Sequence, residues 1–236
     1  MTPSTLSPTA AAAEKTMQTH HRLMDHYGAP SLKERRDPLS ELIVTILSQN
    51  TADVNTERAY AALKQRFPTW EDALAAPVGA LAEAIHVAGL ANIKAPRIHR
   101  ILVDLKEERG RLDLGFLADQ PVAEARRYLT ALHGVGPKTA ACVLLFSLHK
   151  PALPVDTHVH RVARRVGLVP ARASAEQTQD LLEAMLPPNL YYPFHLNMIR
   201  HGRTLCLASR PRCSSCPLLP ICDYASTIDV ASQDAP

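Results

Sequence analysis

The chain has 236 residues, 46% of them hydrophobic, and a formal net charge of +3 at pH 7. That is enough apolar material for one domain or two small ones, and too little net charge to establish a polyanionic partner by itself. No uninterrupted apolar run is long enough to span a bilayer, which argues against a helical membrane protein.

Residues 1–14 are expected to form a disordered tail, because Met1 to Ala13 is uncharged and rich in Ser, Thr, Pro and Ala. This start lacks the basic and apolar regions of a signal peptide, so a cytoplasmic protein is expected. Helical patterning dominates the rest. Asp37-Pro38 reads as an N-cap and first-turn proline. Leu39, Leu42, Ile43, Ile46 and Leu47 then recur at helical spacing. A helix is predicted from about Asp53 to Phe67, stopping before Pro68. Ile98, Ile101, Leu102 and Leu105 mark another, with Lys94, Arg97 and Arg100 placed off that face. Pro121 and Pro137 start helices ending near Leu132 and Leu148. Further helices are predicted from about Asp156 to Val166, Ala175 to Leu186 and Tyr191 to Cys206. No segment alternates with period two, so the fold class is all-α.

Charge is unevenly distributed. Between Ala125 and Ala175 lie eight Lys or Arg and one carboxylate, Asp156. From Ala184 to Cys222 there are Arg200, Arg203, Arg210 and Arg212 and no Asp or Glu. Such clustering fits a phosphate-facing surface; a solvated basic face would look the same.

Three motifs carry possible chemistry. Gly134-Val135-Gly136 sits between two predicted helices. Glycines permit positive φ and close backbone approach, and the amides opening the second helix can hold a phosphate. An ordinary helix–helix turn has the same pattern, so Gly-x-Gly alone does not decide. Lys138 falls in the first turn of that second helix. There a cation opposes the helix dipole, and other cations are near in sequence. Both effects favour the neutral amine, which can attack a sugar carbon and form a Schiff base. A plain phosphate-binding lysine is the alternative. Asp156, in Val-Asp-Thr-His, reads as an N-cap whose carboxylate could also stabilise positive charge on a sugar as a glycosidic bond breaks.

The third motif is Cys206-x6-Cys213-x2-Cys216-x5-Cys222. Four thiolates within 17 residues suit one metal centre. Spacing alone does not separate zinc from an iron-sulfur cluster. Either would pin the loop and present Arg210 and Arg212 to solvent. An odd total of five cysteines argues against a disulfide framework, and Cys142 is most simply a small core residue.

From about Lys15 to Tyr224 the chain resembles the endonuclease III family of DNA glycosylases, within the helix-hairpin-helix superfamily. Leu132 to Ala140 with its lysine, Val155 to Val162 (Val-Asp-Thr-His-Val-His-Arg-Val) and the cysteine spacing carry the resemblance. It implies a two-lobed fold: a helical barrel over residues 31–150, and a discontinuous lobe from residues 15–30 and 151–225. Residues 226–236 would form a loose tail. It implies a [4Fe-4S] cluster on the four cysteines, and a monovalent cation at the hairpin. It implies a monomeric base excision repair enzyme acting on double-stranded DNA, with the damaged base flipped between the lobes. That enzyme would remove oxidised pyrimidines and cleave abasic sites. Lys138 would be the nucleophile at C1′ and Asp156 its carboxylate partner. Gly134, Val135 and Gly136 would bind DNA backbone. Ser48 and Asp53 fall where the family places pocket-lining residues, and Asn50 and Leu90 on the loops that wedge into the duplex.

The chain departs from the family at His133, where many members have proline. Asn50 stands where glutamine is usual, with Gln49 beside it as a substitute. Ala91-Asn92-Ile93 lacks the aromatic residue often found after the leucine. These departures bear on substrate range, not on reaction type. Two other readings compete: a monofunctional adenine-mismatch glycosylase, whose members generally lack the lysine, and a non-catalytic iron-sulfur DNA-binding module. The latter would need neither Lys138 nor Asp156.

Overall fold

A computed structural model describes residues 7–31 and 35–228. Every regular element among them is helical, as the absence of period-two patterning predicts. The α-helices are α1 (Ala10–Tyr27), α2 (Pro38–Leu47), α3 (Asp53–Arg66), α4 (Trp70–Ala75), α5 (Val78–Ala84), α6 (Ala91–Arg109), α7 (Val122–Ala131), α8 (Pro137–Cys142), α9 (Thr157–Val166), α10 (Ala175–Met185) and α11 (Tyr191–Thr204). The chain divides into two compact units. Among the described residues, one combines 7–31 with 151–228, and the other spans 35–150.

The unit ending at Lys150 is built around α2. The Asp37 side chain accepts from the Ser40 amide at 2.9 Å, and Pro38 fixes the first turn. Leu39, Leu42, Ile43, Ile46 and Leu47 are all buried. Burying one such aliphatic side chain contributes about 1.5–3 kcal/mol, so this helix anchors its unit. It packs against α3, α6 and α8. The short helices α4 and α5 were not anticipated; at 6 and 7 residues they are too short to show a full apolar repeat. Thr69 and Asp72 make a capping box that starts α4.

The helix from Pro137 ends beside Leu148 as expected, α-helical to Cys142 and π-helical over Val143–Ser147. One expectation is corrected. The disordered tail expected over residues 1–14 is helical from Ala10. Thr9 caps that helix, accepting from Ala12 N at 3.1 Å, and alanine is the best helix former; the Ser/Thr/Pro content had hidden this start. The tail predictions for residues 1–6 and 229–236 lie outside the described residues.

The other unit packs α11 against α1 and α9, and α10 against α1 and α9. Leu23, Val159, Val162, Leu182, Phe194 and Met198 are fully buried there.

Candidate active site

The glycine turn forms as its sequence suggests. Helix α7 ends at Ala131, Gly134 takes φ +73, and Gly136 is the N-cap of α8. Val135 is buried and fastens the turn, its amide donating to Leu132 O at 3.1 Å. Pro137 is the first residue of α8 and Lys138 the second, half-buried. The opening amides of any helix lack intrahelical acceptors, so this turn presents donors beside a lysine.

A second cluster in the same unit gathers the residues expected to wedge into DNA. Ser48 closes α2, its hydroxyl donating to Thr45 O at 2.8 Å. Asp53 opens α3 and is exposed. Asn50 and Leu90 are exposed and take positive φ, 53 and 51. Asparagine tolerates that region, whereas leucine there costs roughly 1–2 kcal/mol. Ile93 is also exposed, so Leu90 and Ile93 leave an apolar edge at the start of α6.

Two residues link these parts, and reading the sequence missed both roles. Arg97 Nη1 donates to Gln49 Oε1 at 2.8 Å, and its side chain lies against Gly134, 2.2 Å from where a Cβ would stand. Arg97 thus joins the glycine turn to the Gln49–Asn50 loop. Lys94, placed off the apolar face of α6, is instead buried at 1% exposure. Its Nζ donates to Leu47 O at 2.7 Å, Thr51 Oγ1 at 2.8 Å and Ala88 O at 2.9 Å. Three acceptors meet three ammonium protons, which makes the burial tolerable. Burial nevertheless pushes the Lys94 pKa down. The periodicity carried the signal, because positions 94, 98, 101 and 105 share one helical face.

Asp156 lies in the other unit, as the N-cap of α9. Its Oδ1 accepts from His158 N at 2.9 Å and Val159 N at 2.8 Å; Oδ2 takes no part in the cap. The extended approach to it is buried from Ala152 to Val155. Leu153 N donates to Glu183 Oε1 and His195 Nδ1 bonds Pro154 O, both at 2.8 Å. A carbonyl only accepts, so His195 carries its proton on Nδ1. Asp156 is therefore held from both sides.

The basic windows divide by use. Arg161 Nη2 donates to Gly202 O at 2.8 Å, and Arg165 Nη1 to Leu207 O at 2.6 Å. Lys150 Nζ donates to Gln120 O at 2.6 Å. These cations brace backbone and belong neither to a phosphate-facing surface nor to a purely solvated face. Arg127, Arg164, Arg172, Arg210 and Arg212 are exposed.

Arg161 and Arg165 thus brace the end of α11 and the segment that leads into the cysteine loop. Cys213 is buried and Cys206, Cys216 and Cys222 half-buried, all with free thiols. The Cys216 thiol is pushed up to about 11, first by burial, with Cys206, Cys222 and Cys213 adding to the rise. The four cysteine sulfurs are soft donors of the kind that hold an iron-sulfur group, whose iron would offset their negative charge as thiolates. As the side chains stand, no three His, Cys, Asp or Glu among the described residues converge as a metal-binding group, so the fit to such a group is one of donor chemistry. No described helix is long and apolar enough to cross a membrane.

Comparison with known proteins supplies the context. Residues 43–188 match the family model of the HhH-GPD superfamily base excision DNA repair proteins. Endonuclease III of Thermotoga maritima is 36% identical over 195 residues, covering 83% of this chain and 87% of its own. A candidate DNA glycosylase of Arabidopsis thaliana is 39% identical over 183 residues, covering 78% of this chain; the match spans 60% of that longer relative. The structure of a trapped endonuclease III–DNA covalent intermediate superposes with a TM-score of 0.78 at 28% identity, covering 91% of this chain and 97% of that one.

Proposed function

This chain belongs to the HhH-GPD superfamily of base excision DNA repair proteins, and on that premise we propose that it is a bifunctional glycosylase and lyase. It removes oxidised pyrimidines from double-stranded DNA and cleaves the abasic site by β-elimination. The observation that carries this reading is Lys138, half-buried in the first turn of α8, directly after the Gly134–Gly136 turn. A covalent intermediate of an endonuclease III with DNA supports it. The oxidised pyrimidine substrate rests on the resemblance to endonuclease III.

The amides of Gly134 and Gly136 hold a phosphodiester while Val135 fixes the turn through its own bond to Leu132 O, and carbonyls of the same turn would hold a monovalent cation. Lys138 Nζ, after giving up a proton, attacks C1′ as the C1′–N bond breaks, and the base leaves with that bond's electron pair. Loss of the ring-oxygen bond gives a Schiff base between Nζ and C1′. Removal of a C2′ proton then expels the 3′ phosphate, and water releases the lysine. Asp156 serves through Oδ2, the oxygen its cap does not use, stabilising positive charge on the sugar.

Ser48 and Asp53 line the base pocket, and Gln49, Asn50 and Leu90 fill the space the base vacates. Cys206, Cys213, Cys216 and Cys222 would hold a [4Fe-4S] cluster. With such a group bound, their loop would be pinned, and Arg210 and Arg212 would face phosphate. The protein acts as a cytoplasmic monomer.

Borohydride trapping tests the reading. An oligonucleotide duplex with one abasic site should yield a covalent adduct with the wild type and none with Lys138→Ala. Binding without any adduct would remove the lyase activity from this assignment.

A further inference from the structure

Lys94 has no part in the chemistry proposed above, yet it is among the largest fully buried side chains. Its three acceptors come from two separate places in the chain. Leu47 O and Thr51 Oγ1 bracket the loop that carries Ser48, Gln49 and Asn50. Ala88 O belongs to the turn just before Leu90. Thr51 Oγ1 also donates to Ala88 O, closing the arrangement. Each loop holds a non-glycine residue at positive φ, Asn50 in one and Leu90 in the other. Strained backbone of this kind persists only where surrounding contacts over-determine it. Both residues are exposed, so no packing of their own side chains supplies that restraint.

We propose that Lys94 is a positioning residue for strand separation: its ammonium clamps the 48–51 loop to the 88–90 turn, so that Asn50 and Leu90 enter the duplex as one rigid wedge. The clamp acts through backbone carbonyls and a hydroxyl, never through DNA. It rests on the reading of Asn50 and Leu90 as wedge residues. Its distinctive consequence is a split between two substrates. Removing a paired base requires unpairing and unstacking it, a cost that is largely absent when the base is already gone. Loosening the wedge should therefore penalise base removal more than β-elimination at a pre-formed abasic site.

The test compares the full-length wild type with Lys94→Met and Thr51→Val. Thr51→Val removes one acceptor at nearly constant size, and it decides the matter if Lys94→Met does not fold. Hydrogen–deuterium exchange should show segments 48–51 and 86–91 losing protection together while α2, α3 and α6 keep theirs. Base removal from a duplex with one oxidised pyrimidine should fall roughly tenfold or more beyond any fall in β-elimination. Equal falls in both rates, or unchanged protection in the two segments, would overturn the clamp. If the wild type removes no oxidised pyrimidine, the assigned function fails separately, and the exchange measurement alone decides the clamp.

Discussion

Arg97 lies across Gly134 so closely that a Cβ on the glycine would sit 2.2 Å from Nε and 2.6 Å from Cδ. The same guanidinium donates to Gln49 at 2.8 Å. Gly134 is thus required twice, by its φ of +73 and by the arginine packed on it. Gly134→Ala should fold but lose about 1–2 kcal/mol from the left-handed backbone alone. Arg97 can swing aside, at the expense of its bond to Gln49. Denaturant unfolding measures the first effect, and the affinity for an undamaged duplex the second. A variant with wild-type stability and affinity would show that the turn tolerates a side chain.

Asp156 combines a cap with a proposed chemical role, and two substitutions separate them. Asn caps a helix about as well as Asp, so Asp156→Asn should hold stability within about 0.5 kcal/mol of the wild type. Base removal should nevertheless fall by a hundredfold or more, about 2.7 kcal/mol of transition-state stabilisation. Asp156→Ala should lose the activity and about 1 kcal/mol of stability as well. Single-turnover kinetics on an oxidised pyrimidine duplex, with parallel unfolding curves, distinguish the cases. An active Asp156→Asn would reduce the residue to a cap.

Much of this was legible in the sequence because helix ends announce themselves. Asp37-Pro38, Gly136-Pro137 and Asp156 begin helices by local hydrogen bonding and fixed φ, which need no tertiary information. The start of α1 was hidden because small and hydroxylated residues suit both a tail and a capped alanine helix. Lys94 was misplaced for a different reason. Its helical position points inward, but charge argues outward, and only carbonyls outside its own helix, from residues 47 and 88, reverse that balance. Arg161 and Arg165 are similar: sequence records their charge but not the carbonyls they brace. Side chains whose partners lie far along the chain are the part that sequence alone does not assign.

The four-cysteine loop gives a spectroscopic prediction. Purified without oxygen, the protein should be brown, with a band near ~400 nm from sulfur-to-iron charge transfer. Cys216→Ala should lose the band, because it leaves the group one of its four thiolate ligands short. Iron and sulfide analysis would check the assignment. A colourless protein with stoichiometric zinc would replace the cluster with a zinc site.

Stability should fall on the acid side of neutrality, and His20 identifies one source. It is buried on α1, with its ring 6.3 Å from that of Phe194. Its pKa is lowered from 6.5, first by burial and then by His21. Below about pH 6.5 the unfolded chain therefore binds a proton that the folded chain does not, and stability declines with falling pH. Above that pH both states hold His20 neutral, and its contribution is flat. His149 and His201 shift in the same direction, so His20→Leu should shrink the slope without abolishing it. Melting temperatures between about pH 5 and 8 would measure this. An unchanged slope in His20→Leu would mean that His20 takes up its proton equally well in the folded protein.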